Sequence, residues 1–115
     1  MPKIQPRNDD TMLPIDHRTA QRYAMKVPVE VLLDNGAQLR VLTRDISATG
    51  VFVSVASSIR LGSYLRFLIT FPREITTSSK LLALCDGLVV RRELDDTLEG
   101  LAIRIERYHF LRSVD

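Results

Sequence analysis

The sequence predicts an all-β domain of six short strands, closed into a small antiparallel barrel or stacked as a sandwich. Three observations predict it. Apolar and polar residues alternate with a period of two in one segment after another. Turn-forming residues, among them Asp34-Asn35-Gly36 and Pro72, separate those segments. No stretch sustains the apolar spacing of a long helix. Closure would remove the strand edges that otherwise invite aggregation.

The elements follow in order. Residues 1–16 are polar, proline-rich and without a period, and are expected to form a flexible N-terminal arm. The folded domain is expected over residues 17–115. Val27, Val29, Val31 and Leu33 alternate with Pro28, Glu30 and Leu32 as a first strand. Asn35-Gly36 then predicts a hairpin with a type I′ turn, which needs positive φ at both central residues. The return strand sets Leu39, Val41 and Thr43 on one face and Gln38, Arg40 and Leu42 on the other. A third strand is expected from Val51 to Val55. A fourth, from Tyr64 to Phe71, ends at Pro72, which cannot donate to a ladder. Tyr64, Phe67 and Phe71 are read as strand core. The Thr- and Ser-rich stretch from Arg73 to Lys80 reads as a loop. A long fifth strand runs from Leu81 to Arg92, with a bulge or bend at Gly87. The residues from Glu93 to Thr97 read as a turn. A sixth strand, Glu99 to Ile105, turns Leu101, Ile103 and Ile105 inward. The spacing of Tyr108 and Leu111 predicts a short C-terminal helix over 106–115, packed back on the barrel.

Composition excludes several functions. The chain has 115 residues, the size of one domain, and a net charge of +2, too small to argue for bulk nucleic-acid binding. Its one cysteine, Cys85, lies in an apolar run, so neither a disulfide framework nor a cysteine-based zinc site can be built, and a buried, unreactive thiol is expected. His17 and His109 have no metal-ligand spacing around them and read as surface residues. No apolar run is long enough to span a bilayer, and the N-terminus lacks the apolar core of a signal peptide. A cytoplasmic protein with no membrane insertion is expected. There is no nucleophile with a paired base, no glycine-rich phosphate loop and no paired carboxylates in a plausible cleft, so no enzyme is expected.

Two short motifs remain. Arg18 and Arg22, four residues apart, share a face in either a helix or an extended strand. A planar guanidinium presents a fork of donors that fits phosphate oxygens or the O6/N7 edge of guanine. Further on, Asp45 ends a strand, Ser47 lies two residues later, and Gly50 permits either a tight reversal or a close backbone approach. A carboxylate accepts from the N1–H and N2–H₂ donors of guanine, and a serine hydroxyl can donate or accept beside it.

In this order and context, RxxxR followed by DxSxxG resembles the signature of the PilZ domain family, bacterial receptors for cyclic di-GMP. Gly87-Leu-Val-Val-Arg91 looks like that family's GxVVR strand. Gly100-Leu-Ala-Ile-Arg-Ile105 looks like its closing strand, with Ile105 in place of the usual aromatic. The resemblance runs from Arg18 to Arg107. It implies a six-stranded PilZ-type barrel in which Arg18 and Arg22 hold phosphate and the guanine Hoogsteen edge. Asp45 and Ser47 would contact the base and Gly50 would form the turn. Arg91, or Arg92 beside it, would be a further contact, and Arg44 an exposed bystander. The ligand would be cyclic di-GMP, with no cofactor and no metal, and the signal would pass to a protein effector. The sequence leaves open whether one ligand or two are bound. Two other readings stand beside this one: a PilZ-like protein-interaction adaptor without nucleotide, and a small barrel that binds single-stranded nucleic acid.

Overall fold

The computed structural model describes residues 21–55, 59–95 and 98–114. The expected arm over 1–16 and Arg18 lie outside them. Six antiparallel strands make up the fold: β1 (Pro28–Leu32), β2 (Gln38–Ile46), β3 (Gly50–Val55), β4 (Tyr64–Phe71), β5 (Leu81–Asp95) and β6 (Leu98–Ser113). They close in the order β1-β2-β3-β6-β5-β4, with Val29–Leu32 of β1 pairing against Arg66–Ile69 of β4 to seal the cylinder.

Alternation determines what fills it. Val29 and Val31 of β1, Val41 and Thr43 of β2, and Val51, Val53 and Val55 of β3 all point inward. They meet Leu65, Phe67, Ile69 and Phe71 of β4, and Leu101, Ile103 and Ile105 of β6. Burying each such large side chain contributes roughly 1.5–3 kcal/mol. Gly87 faces the centre of this core: a Cβ there would stand 2.6 Å from the Ile103 side chain and 3.1 Å from Phe67. The predicted irregularity at Gly87 is a register shift between Asp86 and Gly87. Cys85 is fully buried, and desolvation, aided by the neighbouring Asp86 charge, pushes its thiol up to about 12. Burial also raises the Tyr108 phenol well above its usual range, with Cys85 adding to the effect.

The structure corrects the expected C-terminal helix. Residues 106–113 continue β6 and pair with Leu81–Asp86 of β5. Two register shifts, at Glu106 and at Leu111, explain the misleading spacing. Each bulge inserts one residue and moves the inward phase, so Ile105 is followed inward by Tyr108 and Phe110. Tyr108 packs back on the barrel with Phe71 and Phe110, but Leu111 is 53% exposed.

Four smaller corrections concern turns and one side chain. The first hairpin is not type I′, because Asn35 is not at positive φ and Gly36 is, at 86°. Gly36 N–H donates to Leu33 O at 2.9 Å and Leu33 N–H to Ala37 O at 2.9 Å, which makes a three-residue loop with a glycine bulge. The stretch after Pro72 contains one helical turn, α1 (Arg73–Thr76), whose buried Ile75 joins the core. Strand β5 runs on to Asp95, so Glu93 and Leu94 are strand rather than turn. Tyr64 is 75% exposed on the outer face and is not core, whereas Phe67 and Phe71 are.

Candidate functional site

The chain reaches the barrel along β2. Tyr23 forms an isolated bridge with Ile46, its N–H donating to Ile46 O at 2.8 Å and its carbonyl accepting from Ile46 N–H at 3.0 Å. Two residues later the strap is held by Thr43. The Thr43 hydroxyl donates to Met25 O at 2.6 Å and accepts from Val27 N–H at 2.8 Å, and Thr43 N–H donates to Val27 O at 3.0 Å. Thr43 is buried, and both its hydroxyl and its N–H are spent on this seam. Tyr23, Met25 and Val27 pack against the core beneath.

That anchoring determines where Arg22 goes. Its Nη1 donates to Asp45 Oδ1 at 2.5 Å, so the structure brings one residue of each motif into direct contact. Both ends are wet, with side chains 57% and 28% exposed, so the pair contributes no more than about 1 kcal/mol.

Ser47 and Gly50 are placed differently. Ser47 is 2% exposed, and its Oγ accepts from Thr49 N–H and Gly50 N–H, each at 3.2 Å. Its own N–H donates to Gly50 O at 2.9 Å. Ser47 therefore organises the turn from within, as serine does in local side-chain-to-backbone motifs. Gly50 does not need a left-handed backbone. A Cβ on it would lie 2.9 Å from Ile103 O, so glycine is required for the close approach of β6.

Beyond the turn, the outer wall carries a transverse row. Asp45 of β2 opposes Phe52 of β3, Phe52 opposes Ala102 of β6, and Ala102 opposes Arg91 of β5. Phe52 points away from the core, yet it is 2% exposed. Its ring lies across β6, where a Cβ on Gly100 would stand 2.5 Å from it, and it is roofed by arginines. The Arg44 guanidinium carbon lies 4.2 Å from the ring centroid and that of Arg91 5.6 Å. Arg44 occupies a bulge, where the β2–β3 register shifts between Thr43 and Asp45. Bulges of this kind re-aim side chains beside functional sites. Arg91 also donates to Glu93 at 3.1 Å. Arg92 opposes the inward-facing Leu101 and pairs with Glu99, so of the two candidate arginines only Arg91 shares the Asp45 face.

Motif reading set Arg44 aside as an exposed bystander and did not see Phe52 as part of this wall. The available signal was a large aromatic on the wet face of β3 with two small residues, Gly100 and Ala102, on the wet face of the neighbouring strand.

A separate groove of about 430 Å³ lies on another wall, lined in part by Leu32, Tyr64, Arg66, Asp86 and Arg107. Among the described residues, no motif residue lines it. Among the described residues no cluster of His, Cys, Asp or Glu could hold a metal ion, and no helix is long and apolar enough to cross a membrane.

Comparison with known proteins identifies the fold. The PilZ domain family matches residues 16–110. Among solved structures, the inhibitor of motility MotI/DgrA of Bacillus subtilis superposes with a TM-score of 0.67 at 22% identity. That match covers 93% of this chain and 50% of the other, so this chain spans half the length of that relative. The PilZ domain of YcgR from Escherichia coli, in a structure with c-di-GMP, superposes with a TM-score of 0.55 at 13% identity, covering 79% of each chain. At these identities the likeness is one of fold. No curated protein matches the chain.

Proposed function

The chain belongs to the PilZ domain family, and from that premise we propose that it is a receptor for cyclic di-GMP, with no catalytic activity of its own, that hands the binding event to a protein effector. The observation that carries this reading is the Arg22–Asp45 contact, which joins the two motifs at one point on the outer wall.

The ligand would divide that contact. Asp45 turns its carboxylate to the N1–H and N2–H₂ donors of a guanine, and Arg22, released, takes the O6/N7 edge or a phosphate. Magnitudes favour the exchange. An exposed ion pair gives up no more than about 1 kcal/mol, whereas a good bidentate base contact returns about 1–3 kcal/mol. Ser47 supports the exchange by keeping the turn in shape, so that Asp45 is presented at the mouth of β2. Arg91, on the same row, is a further contact.

Ordering concerns the residues before Arg22. Arg22 is already tied to Asp45 and Tyr23 to Ile46, so the stretch that the ligand would order is the one that carries Arg18. Disorder-to-order switching of this kind takes part of the binding energy, which leaves an affinity in the micromolar range, roughly −8 kcal/mol. The reshaped surface then engages or releases the effector.

The test is a calorimetric titration of cyclic di-GMP into wild type and Arg22→Ala. Saturable binding lost in the variant supports the receptor. Equal binding by both places the site elsewhere. Absence of heat with wild type leaves a PilZ barrel used for protein contacts alone.

A further inference from the structure

We propose that Arg44 and Arg91 form a second anion-binding pair, seated on the Phe52 ring, and that this pair takes the phosphate of the cyclic dinucleotide farther from the arginine strap. The inference rests on the receptor reading above and adds Arg44 to the site.

The argument begins with Phe52. A phenylalanine on the solvent side of a barrel strand is normally wet, but here it is 2% exposed. Two features bury it. Gly100 leaves room for the ring to lie across β6, since any side chain there would collide with it. Arg44 and Arg91 then cover it from the two flanking strands, β2 and β5. The arrangement is a shelf with guanidiniums as its upper surface.

Charge makes the shelf a site. Both guanidiniums lie over one ring, no more than roughly 10 Å apart, which is about the Debye length at physiological salt. The ring orients them but does not neutralise them. Glu93 answers Arg91 at 3.1 Å, but among the described residues no carboxylate pairs with Arg44. Arg44 and Arg91 are both exposed, so their free donors face solvent. Two like charges held together with one left unanswered are stabilised by an anion placed between them. Phosphate oxygens match the donor fork of arginine.

Position selects the anion. The shelf lies in the same transverse row as Asp45, on its far side from Arg22. A ligand whose guanine is gripped at Asp45 extends over Phe52 toward Arg91. Cyclic di-GMP carries two phosphates, of which the strap holds one and the shelf would hold the other.

The experiment has two arms. Cyclic di-GMP is titrated calorimetrically into wild type, Arg22→Ala, Arg44→Ala and Arg44→Lys at low and high salt. Inorganic pyrophosphate is titrated into wild type and Arg44→Ala while the arginine Nε–H resonances are followed by NMR. The expected result is about tenfold weaker cyclic di-GMP binding by Arg44→Ala, with a shallower salt dependence and partial rescue by lysine, which restores charge but not the planar fork. Wild-type affinity and salt dependence in Arg44→Ala would overturn the shelf while the receptor reading stands. If wild type binds no cyclic di-GMP, the receptor reading fails and pyrophosphate decides. Saturable shifts of Arg44 and Arg91, lost in Arg44→Ala, uphold the anion pair for another phosphate ligand, and unmoved resonances overturn it as well.

Discussion

Two transverse rows of charge cross the outside of this barrel, and they differ in how their arginines are answered. In the row Leu32–Arg66–Asp86–Arg107, Asp86 stands between two arginines, 3.0 Å from Arg66 and 3.9 Å from Arg107. Asp34 and Glu106 add further negative charge to the same groove. In the row Asp45–Phe52–Ala102–Arg91, the arginines Arg22, Arg44 and Arg91 face, among the described residues, only Asp45 and Glu93. A groove lies along the first row, and the second has cationic donors to spare. Concavity alone would favour the groove for an anionic ligand; spare cationic donors favour the shelf. A hollow whose arginines are already matched by carboxylates gives an anion nothing new to bind.

Four measurements sharpen or break that contrast. Asp45→Ala removes both the proposed guanine acceptor and the partner of Arg22. It should weaken cyclic di-GMP binding about 100-fold, near 2.7 kcal/mol, while Arg66→Ala and Arg107→Ala leave calorimetric affinity within about twofold. A large loss in either groove variant would reverse the assignment of the two rows.

The shelf also depends on a missing side chain. Gly100→Val puts a branched Cβ where the Phe52 ring lies, 2.5 Å away, and overpacking should lower stability by about 2 kcal/mol in urea unfolding. Gly36→Ala is not comparable, because nothing lies within 4 Å there and only the positive φ is strained.

The interior behind the groove responds to alkali. The Cys85 thiol is raised from 9.0 to about 12 in the folded protein. Below pH 9 both states hold the proton and no stability is lost. Between pH 9 and 12 the unfolded thiol ionises while the folded one does not, so stability falls by about 1.4 kcal/mol per pH unit. Tyr108, also raised, acts in the same direction at higher pH. Cys85→Ala should flatten the early part of the alkaline slope, and an unchanged slope would show that the thiol is not the source. The smallest effect belongs to Asp86→Ala. Its ion pairs are exposed on the arginine side, and stability should change by less than about 1 kcal/mol.

How legible this was varied by element. Strand β4 is found over the residues its alternation predicts, Tyr64 to Phe71, because a regular ladder preserves period two. Strand β6 was legible only as far as Ile105. Past that point bulges at Glu106 and Leu111 shift the phase, and Ile105, Tyr108 and Leu111 take on a false helical spacing. A bulge depends on the partner strand, so single-strand periodicity cannot show it. The hairpin at Asn35-Gly36 was legible as a hairpin, but its loop length was not, since Ala37 closes against Leu33 rather than against Asp34. In the candidate site, Arg22 and Asp45 could be named from their motifs, whereas the inward burial of Ser47 could not.

The residues by themselves determined most of the strand content, the all-β class, the apolar filling and the two motifs. Each of these is local: alternation, turn chemistry and side-chain donor patterns are properties of short stretches of chain. Tertiary structure alone decided that Arg22 meets Asp45, that Gly50 yields to the backbone of β6, and that Gly100 makes room for Phe52 beneath Arg44 and Arg91. These are contacts between strands far apart in sequence, set by ladder register, and register becomes definite only when the barrel closes.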